Sequence, residues 1–530
     1  MDVETKGNKR NALINELGTI KMDLPNKLLT GDELDAFLES AQDYTLDSIK
    51  NHFAKYEPTS LKKNWFLLLR CVDEFINLSM EIEDPNLSDE FMGLSFNLMD
   101  NSHLTKFMNV LKKIEHEFGK DVSKRLLQFA QMNYASTMAY ESQGLNTLLP
   151  FDFSTVKTAL IYYQSRRKYY VTILDLIDEW AVGKFSFEFI DTLNQTQYTI
   201  DSCLQNITTN YYSILLNNSL SDYSIDFRQP IPKPSHSHYN LESFLLEPQV
   251  LTMGDQLEFR SSQTDDVDLI PLPSNKIFAY SEVQNNIKLI EATFRKYSVK
   301  KDSTFIELSF LVNQLKEFCI DDYFIRIPIN LFEEKIEPYI KTLKIFGSKT
   351  DYFHVSNFVS LFQKDDSELI TTVVLFNRFI TNIILTRLSK NKSFQINSGF
   401  VFEDKVASVL ENNGYQLTGI TRINRKEFDI ITIKDNHIHN FQCKNNYIDI
   451  SRIQDDPKRM AKLNGRLIKY YKKAYMKEVG REHLIKQKLG LNDITHYVVS
   501  RYPVITEIDY IINYNELKEK TKVPNKTYKR

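Results

Sequence analysis

Two strand-like runs, EFDIITIK (residues 427–434) and HIHNFQCK (residues 437–444), abut at Asp435-Asn436. Asp and Asn tolerate positive φ, and a two-residue loop of this kind closes a tight antiparallel hairpin. The strand period of two then sends Gln442 and Lys444 to one face and Cys443 to the other. Around this hairpin the pattern alternates. SGFVFEDKVASVLENNGY (398–415) reads as a helix with Phe402, Val406, Val409 and Leu410 on one face, stopped by Asn413-Gly414. QLTGITRI (416–423) reads as a strand, a long basic helix follows the hairpin, and THYVVSRY and EIDYIINY read as further strands. Helix, three strands, helix, strands describes an α/β domain with a mixed sheet flanked by helices, assigned to residues 391–530.

The other 390 residues read differently. At 530 residues the chain is too long for one core, so two to four domains are expected. Residues 1–227 are rich in apolar residues at spacings of three and four and read as a helical N-terminal region. Six of the 15 prolines fall between Pro230 and Pro273, which marks 228–275 as a linker. Residues 276–390 read as a mainly helical middle region. Its end, Ile370–Leu388, is the most apolar stretch of the chain, but Arg378, Asn377, Asn382 and four Thr argue for a buried helix rather than a membrane span. His236-x-His238 has no further ligands nearby and reads as solvated.

Net charge is −3, yet residues 391–530 hold 26 Lys and Arg against 16 Asp and Glu, a balance of +10 that leaves −13 for the remainder. A basic segment of this kind points to its own polyanionic partner. Four widely spaced cysteines argue against a disulfide scaffold or a zinc ribbon, and the charged N-terminus has no apolar signal segment. A cytoplasmic protein without a membrane span is expected.

The hairpin brings chemistry together. Asp429 precedes the aliphatic pair Ile430-Ile431, and the register lets it approach Gln442 and Lys444. A hard cation such as Mg2+, or Mn2+, takes oxygen ligands. Asp429 offers a carboxylate, Gln442 an amide oxygen and Cys443 its backbone carbonyl, while Lys444 could orient water and offset charge on an attacked phosphate. A second acid-x-Lys arrangement, Asp322 with Glu333-Glu334-Lys335, lies in a helix-like stretch. Residues two apart on a helix diverge by about 200°, so that set cannot converge. His437, His439 and Cys443 share the opposite strand face; a zinc site there would need ligands from elsewhere.

GFVFEDKVASVLENNGY, EFDIITI and FQCKN together resemble the PD-(D/E)XK nuclease superfamily, and within it the Mrr-like restriction endonucleases. The resemblance covers about a fifth of the chain, with Gln-x-Lys in place of Glu-x-Lys. It implies Glu403 as the helix carboxylate, Asp429 as the main metal ligand, Gln442 as the second ligand and Lys444 as the catalytic lysine. It implies a Mg2+-dependent endonuclease acting on nucleic acid, with DNA favoured over RNA, of a restriction-like or effector type suited to defence against foreign DNA. Two departures stand out. Phe428 occupies the place of the usual Pro, and Gln442 removes one negative charge, so the metal should bind more weakly unless Glu403 compensates; Glu427, two before Asp429, is a candidate further carboxylate. The alternative is a non-catalytic nucleic-acid-binding or scaffold protein with a degenerate nuclease fold.

From Pro457 to Lys477 there are eight basic residues and no acid. Arg459, Lys462, Arg466, Lys469, Lys473 and Lys477 step by three or four along one helix face, while Met460, Leu463, Leu467, Tyr470 and Ala474 form an adjacent apolar face expected to dock on the sheet. The basic face suits phosphate contacts; the alternative is a clamp on the acidic N-terminal part. A homo-oligomer or a partner protein held through the N-terminal region remains open.

Overall fold

The structure, a computed structural model, describes residues 24–142, 154–188, 205–228, 232–236, 267–297, 299–346, 360–388, 390–446 and 456–522. Most of the Pro-rich segment, including His238, lies outside the described residues.

The N-terminal region is mainly helical: α1 (Gly31–Phe53), α2 (Pro58–Glu81), α3 (Pro85–Met92), α4 (Asn101–Phe118), α5 (Lys120–Ser142), α6 (Val156–Trp180) and α7 (Gln205–Asn217). Short strands β1 (Leu28–Thr30), β2 (Ser224–Asp226) and β3 (Lys233–Ser235) form a small antiparallel sheet beside them. Asp84 and Asp100 accept backbone N–H groups at the starts of α3 and α4, satisfying donors that the helix leaves open. The core of this region is aromatic, with Trp65, Phe75, Phe129 and Tyr163 buried, and it extends into the middle region through Phe278, Tyr323, Phe324, Ile370 and Leu375. Buried Asp73 binds Arg167 within the N-terminal region and also accepts from Tyr323 Oη at 2.9 Å, so a hydrogen bond to this charged pair spans the same seam.

The middle region contains α8 (Tyr280–Lys296), α9 (Ser303–Leu315), α10 (Ile329–Lys335) and α11 (Val373–Leu388), together with β4 (Cys319–Ile320), β5 (Phe324–Pro328), β6 (Gln363–Asp365) and β7 (Glu368–Thr372). The strands form a four-stranded antiparallel sheet, so this region is more mixed than its periodicity suggests. Ile370–Leu388 is not one helix. Ile370, Thr371 and Thr372 end β7, where they pair with Arg326, Ile325 and Phe324 of β5, and only then does α11 begin. The pairing partner lies more than 40 residues upstream, beyond any local pattern. Among the described residues no helix is long and apolar enough to cross a membrane.

The C-terminal unit opens with α12 (Lys392–Asn412), which buries Phe394, Ser398, Phe402, Val406 and Leu410 and ends at Asn413 and the left-handed Gly414. A five-stranded mixed sheet follows, built from β8 (Gln416–Leu417), β11 (Ile430–Lys434), β12 (His437–Lys444), β13 (Ile494–Ser500) and β14 (Ile511–Asn513), in the order β14-β13-β12-β11-β8. Strands β12, β13 and β14 are parallel, and β11 is antiparallel to both its neighbours. The expected strand 416–423 is broken: Gly419 at φ +67° turns the chain, and β9 (Arg422–Ile423) pairs with β10 (Lys426–Glu427) across Asn424-Arg425, both at positive φ. Asp435 and Asn436 are also both at positive φ, the backbone of a type I′ turn.

Helix α12 covers one face of this sheet with α15 (Tyr514–Lys520), in a core of Phe402, Val406, Ile430, Phe441 and Val499. The basic helix α13 (Pro457–Val479) covers the other, where Tyr471 packs with Val498 and Ile511, and α14 (Glu482–Leu489) follows it. The first turns of α13 reach further. Met460 and Ala461 share an apolar core with Leu34 and Leu38 of α1 and Ile214 and Leu215 of α7.

Candidate active site

Every candidate catalytic residue lies near one end of the β11–β12 hairpin. Ile430 is paired with Phe441, which places Asp429 across from Gln442. The Asp429 carboxylate accepts from the Gln442 amide and from the Cys443 N–H at 2.7 Å. A strand residue's N–H and C=O leave by the same edge, so the Cys443 carbonyl is also directed toward the Asp429 side. The Cys443 side chain points the other way, into the core with Phe402 and Ile430, and burial raises its thiol pKa well above the ordinary range. Gln442 is itself buried, at 7% exposure.

Glu403 comes from α12, one residue after the core residue Phe402, so it lies at the edge of the packed face. Its carboxyl is half-buried and is pushed up to about 7, first by desolvation and then by the charge of Asp429, with Lys444 pulling in the opposite direction. Asp429 is raised as well, chiefly by burial, against the lowering effects of Lys444, the Cys443 N–H and the Gln442 amide. Glu403, Asp429 and Lys444 thus sense one another's charge, which spacing in the sequence alone could not establish.

The strand end is fastened on both faces. Asn445 donates to Ser398 Oγ of α12 at 3.0 Å and accepts from Arg501 at 3.0 Å, while Asn446 donates to Tyr471 Oη of α13 at 3.1 Å. Beneath Gln442 on the same strand face, Asn440 binds Glu478 at 3.0 Å and meets His496 Nδ1 at 3.1 Å. Glu478, only 1% exposed, is ion-paired with Arg481, whose guanidinium lies 4.5 Å from the Phe428 ring centroid. This polar layer was missed in the sequence. The available signal was the strand period, which puts Asn440 on the face of Gln442.

The four oxygen-bearing groups fit a hard cation by type: two carboxylates, one amide and one backbone carbonyl, with water as the usual further ligand. Among the described residues no group of three or more His, Cys, Asp and Glu side chains is arranged to hold a metal. Gln442 now turns its amide nitrogen to Asp429, so ligation through Oε1 requires the amide to turn over.

Three other sequence expectations separate here. Glu427 is exposed, sits in the β9–β10 hairpin and is paired with Arg422, so it stands as a solvent-facing acid rather than a further carboxylate of the site. His437 meets Thr495 Oγ1 at 2.7 Å, and His439 stacks with Tyr497, its ring held near pKa 4 mainly by burial. Asp322 pairs with Lys276, and Glu333, Glu334 and Lys335 are on helix α10, where residues two apart diverge.

On α13, Arg459, Lys462, Arg466, Lys469 and Lys473 are all exposed. Arg459 lies 3.3 Å from Asp456, which caps the helix; among the described residues none of the other four is in an ion pair with an acid. The acidic N-terminal region meets this helix through Lys458 instead, 2.7 Å from Glu39 and 3.7 Å from Asp35. These contacts involve the first turn of α13 and leave Lys462, Arg466, Lys469 and Lys473 exposed. Tyr470 departs from the expected apolar docking face: it is 50% exposed, with Lys444 Nζ 5.9 Å from its ring centroid.

Comparison with protein-family models, curated proteins and solved structures finds no match for this chain.

Proposed function

We propose that this chain is a metal-dependent nuclease that hydrolyses phosphodiester bonds of DNA, with a PD-(D/E)XK-like site at Glu403, Asp429, Gln442 and Lys444. The observation that carries this is the placement of Asp429 against Gln442 and Cys443 at one end of the hairpin, with the charges of Glu403 and Lys444 acting on it. The mixed sheet with helices on both faces supports it, as does the open basic stripe on α13.

Glu403, Asp429, Gln442 Oε1 and the Cys443 carbonyl would hold Mg2+ or Mn2+, which when bound supplies Lewis acidity toward the phosphate and lowers the pKa of water. Lys444 places an ammonium beside the reacting phosphate, offsetting the charge that builds up there. Arg459, Lys462, Arg466, Lys469 and Lys473 would hold the backbone without reading sequence. A restriction-like or effector role in defence follows from the resemblance alone.

The test is nicking of plasmid and single-stranded DNA by the purified chain with Mg2+, Mn2+ or EDTA. Asp429→Ala and Lys444→Ala should each abolish metal-dependent cleavage with the fold retained; full activity in either variant refutes the assignment. The second reading, a binding protein without turnover, is favoured by the Gln442–Asp429 hydrogen bond, in which the amide nitrogen, and not the oxygen a metal would need, is turned to Asp429. It is supported if DNA binds with the expected salt dependence and no cleavage occurs under any metal.

A further inference from the structure

Helical spacing places Tyr470 with Met460, Leu467 and Ala474, the residues expected to face the sheet. Its neighbour Tyr471 does face inward, fully buried, with its hydroxyl meeting Ser500 Oγ at 2.8 Å and accepting from Asn446. Tyr470 does not. Half of its surface is open, and its ring lies 5.8 Å from the anchored Tyr471 ring at an angle of 54°. On the same helix Arg466, Lys469 and Lys473 stand one turn before, beside and nearly one turn after it, all exposed. The ring is therefore the point at which the basic stripe meets Lys444.

We propose that Tyr470 is a stacking platform for a nucleobase of unpaired DNA, held where the strand passes from the α13 stripe to the site at Lys444. This rests on the nuclease reading above and names its substrate class. Phosphates along one strand are met by cations in a sequence-independent way, and an aromatic ring among those cations adds a contact that only a base face can make. In an intact duplex both faces of each base are already covered by neighbours, so an exposed ring gains little. In a single strand or a frayed end the faces are open. Every base has such a face, so the preference is for strandedness and not for sequence.

Binding should be measured on the full chain in EDTA, so that the result does not depend on cleavage, by fluorescence anisotropy of a labelled single strand and of the same sequence as a duplex. Tyr470→Ala should weaken single-strand binding about 5- to 150-fold, the weight of one lost base stack, and change duplex binding less than about twofold. Tyr470→Trp and Tyr470→Phe should retain single-strand binding. The salt dependence in Tyr470→Ala should keep its slope, whereas Lys469→Ala should lower it by about one. A wild-type chain that binds neither probe removes the nucleic-acid reading and this inference with it. Wild-type binding that Tyr470→Ala leaves unchanged, or weakens equally on both probes, overturns the inference alone.

Discussion

Replacing Glu403 by Gln should stabilise the metal-free protein in alkaline buffer and leave it nearly unchanged in acid. Desolvation and the charge of Asp429 move this carboxyl from 4.5 to about 7 in the fold. A carboxyl whose folded pKa is raised holds its proton to higher pH when folded than when unfolded. Its contribution to stability is therefore fully present below the unfolded value and is lost as pH rises through the folded one. A shift of this size corresponds to roughly 3 kcal/mol, and because the group is only half-buried, solvent screening lowers that to about 1–2 kcal/mol. Gln keeps the shape and removes the charge, so the variant avoids this loss. Urea denaturation in EDTA should show Glu403→Gln more stable by about 1–2 kcal/mol near pH 8 and within about 0.5 kcal/mol near pH 4.5. Adding Mg2+ near pH 8 should then stabilise the wild type and not the variant, since a ligand that binds only the folded state adds its binding free energy. A variant that is equally stable or less stable near pH 8 in EDTA would refute both the raised carboxyl and its origin in burial beside Asp429.

Gln442→Glu should retain cleavage or reach half-maximal activity at lower Mg2+, because a carboxylate replaces an amide that must turn over to ligate; Gln442→Leu should be inactive, and a metal titration of both variants tells the outcomes apart. Cys443→Ala should cost about 1–2 kcal/mol in urea midpoint, as a buried truncation does, with cleavage kept; lost activity at unchanged stability would point to thiol chemistry instead. Asn464→Ala should cost about 2–4 kcal/mol, because the buried side chain both accepts from Ile505 N–H at 2.9 Å and donates to its carbonyl at 2.8 Å; a change under about 0.5 kcal/mol would show that this contact does not hold α13 in place.

What was legible in the sequence is what short-range stereochemistry controls. Asp435-Asn436 adopts the positive φ that its residue types allow, and that turn fixes the register placing Asp429 across from Gln442. The period of α12 ends at Gly414 as its composition dictates, and α10 keeps Glu333 and Lys335 from forming a second site. Tertiary structure decided the rest, because burial and long-range pairing are properties of the assembled chain. Ile370–Thr372 became strand only because β5 lies beside it, and Gly419 divided a run that looked continuous. Glu427 pairs with Arg422 in a separate hairpin, and Tyr470 sits outside the seam that its spacing assigned to it. The charge state of Glu403 belongs to neither its spacing nor its residue type: it follows from where packing of Phe402 and Val406 leaves the carboxylate, half out of water and within reach of Asp429.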